Sequence, residues 1–255
     1  MGNVLFESRE TQLPDNIDEL LPRFKKGWQS QIYQFGQTNS QTPGRCAIGM
    51  DVIKDAITFI ILHFTESLVK DPNFVPKILE VGSGNGCASK LIRDSLKSTF
   101  PLTEFIPTDL RKHEITHGID VITGIESIEA VKQYGEGKNI LLLVSPPPCH
   151  LPELDPLDTE SPLLGYMDYF AIDEWSRSSD SNVGDACQRR SKLPNNEQRY
   201  IIFIGELGAS DGSLGMYKYM MENPKWSCRV RKMLRKSPDN CGGMVEKELF
   251  IFELN

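Results

Sequence analysis

The stretch Lys77-Ile78-Leu79-Glu80-Val81-Gly82-Ser83-Gly84-Asn85-Gly86-Cys87-Ala88-Ser89-Lys90 constrains the fold more than any other part of the chain. Ile78, Leu79 and Val81 suit a strand buried on both faces of a parallel sheet. The run stops at Gly82, Gly84 and Gly86, which permit unusual dihedrals and let the backbone approach a ligand closely. A helix begins directly afterwards, so its first amides face whatever binds over the turn. Strand, glycine turn and helix in this order outline a nucleotide-cofactor site. A dinucleotide fingerprint would place glycine at the sixth position of the run, where this chain has Cys87, so that pattern is not met.

Hydrophobic periodicity extends the pattern in both directions. Residues 48–69 carry Val52, Ala56, Phe59, Ile60 and Leu68 at helical spacing, and residues 88–96 repeat Leu91, Ile92 and Leu96 on one face. Strands are expected at 104–108, ending at Asp109, and at 119–122, 139–144, 200–205, 227–234 and 248–254, with helices at 125–134 and 214–221. Strands alternating with helices predict an α/β domain over residues 46–255, built on a doubly wound, mostly parallel sheet whose ligands sit beyond the strand carboxyl ends. The last two strands are expected to form an antiparallel hairpin. Residues 1–45, punctuated by Pro14, Pro22 and Pro43, read as an N-terminal extension anchored by aromatics or serving as a lid. Residues 174–199, rich in Ser, Asp, Asn and Arg, read as a mobile surface loop.

Bulk properties exclude several classes. With 255 residues, 39% hydrophobic and 25% charged, the chain is long enough for a full core. A net charge of −7 disfavours nucleic acid as a partner. No apolar run approaches the roughly 18 residues of a membrane span. Gly2 invites a myristoylation reading, but Phe6 stands where Ser or Thr is wanted. Six scattered cysteines without close pairs fit reduced thiols and a cytoplasmic location.

The glycine stretch resembles the first motif of class I S-adenosylmethionine-dependent methyltransferases. The resemblance implies their seven-stranded sheet with its C-terminal antiparallel hairpin, and S-adenosylmethionine as cofactor. It implies a cofactor site formed by Glu80, Gly82, Ser83, Gly84 and Gly86, with Glu80 orienting the methionine amino group. Asp109, 23 residues after Gly86 at the end of the second strand, can accept hydrogen bonds from both ribose hydroxyls. For the polar residue near the adenine, Asp120 and Glu126 are candidates; Glu126 is preferred because it follows the expected strand end.

Ser145-Pro146-Pro147-Pro148 ends the fourth strand, the position facing the transferred methyl group in this superfamily. The segment is similar to the Asp/Asn/Ser-Pro-Pro-aromatic motif of amino-methyltransferases, although Pro148 replaces the aromatic, which argues against base methylation. Ser145 is the candidate for orienting the nucleophile, and His150 for a base, its ordinary pKa lying near neutrality. A looser similarity to methyltransferase-like proteins with Gly-Glu after the fifth strand adds Glu206 and Gly208. The expected function is methyl transfer to an N, O or S atom of a small-molecule or protein acceptor. A methyltransferase-like binding protein without turnover is the alternative. His113-Glu114-Ile115-Thr116-His117 matches the zinc hydrolase helix motif literally. Gly118 follows at once and tends to terminate helices, no third ligand stands at the required spacing, and no metal site is assigned.

Overall fold

The computed structural model describes residues 48–110, 112, 117–146, 167–177, 198–205, 211–212, 214–238 and 244–255. The elements in chain order are α1 (Met50–Lys70), β1 (Lys77–Val81), α2 (Cys87–Thr99), β2 (Glu104–Asp109), β3 (Ile122–Thr123), α3 (Ser127–Tyr134), β4 (Ile140–Val144), α4 (Met167–Arg177), β5 (Tyr200–Gly205), α5 (Leu214–Glu222), β6 (Trp226–Pro238) and β7 (Met244–Leu254). The proposed N-terminal extension and its lid lie outside the described residues.

The seven strands form one sheet in the order β3-β2-β1-β4-β5-β7-β6. β1 runs parallel to β2 and β4, β2 to β3, and β4 to β5, whereas β7 is antiparallel to both β5 and β6. This is the class I methyltransferase-like architecture expected from the sequence, hairpin included. The strand order reverses between β1 and β4, the switch point at which open α/β sheets bind ligands.

Parity along each strand assigns the two faces. Leu79, Val81, Leu141, Leu143, Ile201 and Phe203 pack with Ala130 and Val131 of α3, Ala171, Ile172 and Trp175 of α4, and Met216 and Met220 of α5. Ile78, Ile140, Leu142, Ile202 and Ile204 pack with Val52, Ile53, Ala56, Ile60 and Phe64 of α1 and with Ile92 and Leu96 of α2. Both faces are therefore covered, which explains why β4 and β5 read as continuous apolar runs rather than alternating ones. Each such side chain withdrawn from water contributes about 1.5–3 kcal/mol before entropy is counted. At the amino ends, the buried Asn139 side chain accepts from the Lys77 amide at 2.8 Å and donates to the Val75 carbonyl at 2.9 Å, joining the β1 and β4 ends. No helix among the described residues is long and apolar enough to cross a membrane.

Three expectations need correction. Residues 174–177 are helical, not loop: they complete α4, where Trp175 is fully buried and the Arg199 guanidinium stacks 3.9 Å from its ring centroid. The third strand is only Ile122–Thr123, so Asp120 precedes it and is exposed. Cys87 is disulfide-bonded, contrary to the expectation of reduced thiols throughout.

Candidate functional site

The parallel register brings the carboxyl ends of β1, β2, β4 and β5 to one edge, together with the start of β7, since Gly205 opposes Glu248. The glycine turn occupies the β1 part of this edge. Gly82, Gly84 and Gly86 all have positive φ, at 72°, 58° and 76°. A Cβ at Gly82 or Gly84 would meet nothing within 4 Å, so these two glycines border open space. Gly86 is different: a Cβ there would lie 2.4 Å from Ile119 Cγ2. Gly86 therefore serves close packing, and Gly82 and Gly84 serve an exposed rim.

Asp109 holds that rim. Its Oδ2 accepts from the Gly84 amide at 2.7 Å, while the Ser83 amide donates to the Thr108 carbonyl at 2.9 Å. Two successive residues of β2 thus fix two successive residues of the turn. One carboxylate oxygen of the sequence-predicted ribose ligand is engaged with the loop that would carry the ligand's other end.

Glu80 lies beneath the turn and is completely buried. It shares the parity of Ile78, which directs it to the face covered by α2, beside Ser89. Both carboxylate oxygens lack a hydrogen-bond partner, as do the buried hydroxyls of Ser83 and Ser89. Desolvation is the main cause that lifts the Glu80 carboxyl to about 8; the Ser89 hydroxyl opposes the rise without reaching hydrogen-bond geometry, and the Asp109 charge reinforces it. Buried polar groups in folded proteins are nearly always satisfied. The unpaired oxygens of Glu80, Ser83 and Ser89 lie together where the turn meets α2, and a polar ligand there could supply the missing partners.

Glu126 is exposed at the residue preceding α3, next to Ile125, whose amide donates to the Asp109 carbonyl at 3.3 Å. The backbone thus brings Glu126 and Asp109 to the same end of the sheet. Ser145 follows β4 directly and is the one non-glycine residue with positive φ among the described residues, at 47°. Its amide donates to the Ile204 carbonyl at 2.7 Å and its hydroxyl donates to Asp211 Oδ1. Asp211 in turn pairs through Oδ2 with Lys247 Nζ at 2.6 Å, and all but a few per cent of both side chains is buried. Sequence reasoning missed Asp211 and Lys247. The Asp211-Gly212 pair shortly after β5 was a faint signal, and nothing in one dimension joins it to Lys247. His150, Glu206 and Gly208 lie outside the described residues, as do His113, Glu114, Ile115 and Thr116. His117 is described: it belongs to no helix and precedes Gly118, which has φ of 74°.

Neither a family model nor a curated protein matches the sequence. Solved structures of similar shape are methyltransferases by description. They include a Listeria monocytogenes protein provisionally assigned as a class I S-adenosylmethionine-dependent methyltransferase, with TM-score 0.49 and 11% identity over 94% of this chain and 70% of that one. The N-methyltransferase NodS from Bradyrhizobium japonicum, in complex with S-adenosylhomocysteine, has TM-score 0.42 and 11% identity over 90% and 98% of the two chains. Magnesium protoporphyrin IX methyltransferase from Synechocystis, with bound S-adenosylmethionine, has TM-score 0.40 and 9% identity over 96% and 99%. All of these scores fall below 0.5, and the fold assignment rests on the strand order and register of the chain itself.

Proposed function

We propose that the chain binds S-adenosylmethionine at the glycine turn and transfers its methyl group to an N, O or S atom of a small-molecule or protein acceptor. The observation that carries this reading is the fully buried Glu80 carboxyl with both oxygens unpaired, beneath a turn whose Gly82 and Gly84 border open space. A purely structural carboxyl at that position would have found partners.

The residues present fit the cofactor. Gly82 and Gly84 give close backbone access, Glu80 offers a negative charge to an amino group, and Asp109 offers carboxylate oxygens to hydroxyl donors. Glu126, at the same end of the sheet as Asp109, is the residue we assign to the adenine. When bound, the sulfonium would supply an electrophilic methyl group to an acceptor lone pair, the carbon–sulfur electron pair would stay with sulfur, and the acceptor's proton would leave to a base or to solvent. Protein side chains then have mainly to position the reactants, and positioning alone can lower a barrier by about 7–11 kcal/mol. Ser145, at the end of β4, is the residue assigned to the acceptor. His150 keeps its proposed role as a base on sequence grounds.

Binding of S-adenosylmethionine to the folded protein tests the reading, and Asp109→Ala should weaken it while leaving the fold intact. Unchanged affinity in a folded Asp109→Ala variant would contradict the ribose role. A binding protein without turnover would bind the cofactor equally well and leave its methyl group in place with every acceptor class offered.

A further inference from the structure

The buried polar cluster at the ends of β4, β5 and β7 is as ordered as the glycine turn is open. Ser145 sits in the left-handed region at φ 47°, a strained backbone conformation for a non-glycine residue. Three contacts hold it there. Its amide is bonded to Ile204 of β5, the following residue Pro146 accepts from the Gly212 amide at 3.0 Å, and its hydroxyl is bonded to Asp211. Asp211 and Lys247 are 3% and 5% exposed, so the carboxylate and ammonium have given up water for each other. Gly205 makes room for this arrangement: a Cβ there would lie 2.8 Å from Asp211 Cβ and 2.6 Å from Phe203 Cζ. Beside it, the buried Glu248 is held by Arg231, whose Nη2 lies 2.8 Å from Oε1.

A hydroxyl has one proton and two lone pairs. At Ser145 the proton is committed to Asp211, because an ionised carboxylate paired with an ammonium accepts and cannot donate. What Ser145 Oγ retains for a ligand is lone pairs only. We propose that Asp211 and Lys247 are positioning residues for Ser145, fixing its hydroxyl as an acceptor so that the site takes a methyl acceptor bearing its own N–H or O–H. The inference rests on the methyltransferase reading. An amine, amide or hydroxyl satisfies Ser145 with its hydrogen while its lone pair faces the methyl group. A thiolate or carboxylate would set lone pair against lone pair. After transfer the hydrogen that rested on Ser145 leaves to solvent, and Asp211 stays paired with Lys247.

The test needs no knowledge of the natural acceptor. Sinefungin is a cofactor analogue in which a carbon bearing an ammonium group replaces the methylsulfonium, so it presents N–H donors where an acceptor approaches. Calorimetry measures Kd for sinefungin and S-adenosylhomocysteine in the wild type, Ser145→Ala, Asp211→Asn and the double variant Asp211→Leu/Lys247→Met. The double variant removes the pair without stranding a buried charge. A hydrogen bond to a charged group is worth about 1.4 kcal/mol or more, which is tenfold in affinity. The preference for sinefungin should therefore fall about tenfold in Ser145→Ala and in the double variant. It should survive largely in Asp211→Asn, whose amide oxygen still accepts from Ser145. S-adenosylhomocysteine carries no N–H donor at that position and should bind all four proteins within about threefold. Should the double variant fail to fold, Gly205→Ala, which crowds Asp211, reads the same ratio and should lower it.

An unchanged ratio in folded Ser145→Ala would overturn the role of Ser145. A loss in Ser145→Ala with none in the double variant or Gly205→Ala would overturn that of Asp211 and Lys247. Absence of S-adenosylhomocysteine binding in the folded wild type would instead remove the methyltransferase reading itself.

Discussion

The two halves of the sheet edge are built on opposite terms. Around β1 and β2 three polar side chains are left unpaired: Glu80, Ser83 and Ser89 have buried oxygens with no partner beneath an open glycine rim. Around β4, β5 and β7 polar groups of comparable burial are joined in the chain Ser145–Asp211–Lys247. An unpaired buried group is costly and is retained where a ligand repays it, whereas a fully paired one is rigid before any ligand arrives. On the proposed function, the unpaired half is the one that would bind the cofactor and the paired half the one that would position the acceptor.

The largest effect should come from breaking the paired half on one side. Asp211→Ala leaves the Lys247 ammonium buried without its carboxylate and should cost about 3–5 kcal/mol, whereas Asp211→Leu/Lys247→Met should be far milder. Urea denaturation of both variants compares them directly; equal losses would mean that the ion pair is not what orders this half.

The unpaired half should show its character in the pH dependence of stability. The folded protein holds the Glu80 proton up to pH about 8, against 4.5 for the free group. The contribution is fully present below pH 4.5 and is lost as pH rises towards 8, at about 1.4 kcal/mol per unit, or about 3 kcal/mol by pH 7. Glu80→Gln should flatten this slope and stabilise the ligand-free protein at pH 7. A parallel slope in both proteins would place the titrating group elsewhere.

Smaller effects should divide the glycines. Gly86→Ala combines positive φ with contact against Ile119 and should cost about 2 kcal/mol. Gly84→Ala meets only the dihedral penalty and should cost about 1 kcal/mol while weakening cofactor binding more than stability. Thermal unfolding and calorimetric affinity measured on the same two proteins check the pairing; equal effects on both quantities would erase the distinction between packing and rim.

The unpaired half was far more legible in the sequence than the paired half, because it is local. Strand, glycine turn and helix lie within fourteen residues, and Asp109 follows at the end of the very next strand, so periodicity and turn chemistry give these elements directly. That Glu80 would be unpaired was not legible, since partners come from the fold. The paired half depends on residues 145, 211 and 247, brought together only when β7 turns back antiparallel against β5. No periodic pattern encodes that meeting. Helix α4 was missed for another reason: Ala171, Ile172 and Trp175 recur at helical spacing, but a strongly polar segment follows them and obscured the helix end. β3, two residues long, is too short for any alternation to show.

The most direct test is calorimetric titration of the folded protein with S-adenosylmethionine and S-adenosylhomocysteine, with NAD as a control. The account predicts saturable binding of both, no binding of NAD, and proton release near pH 7 as Glu80 ionises against the ligand's amino group. Failure of both ligands to bind a protein shown to be folded would contradict it.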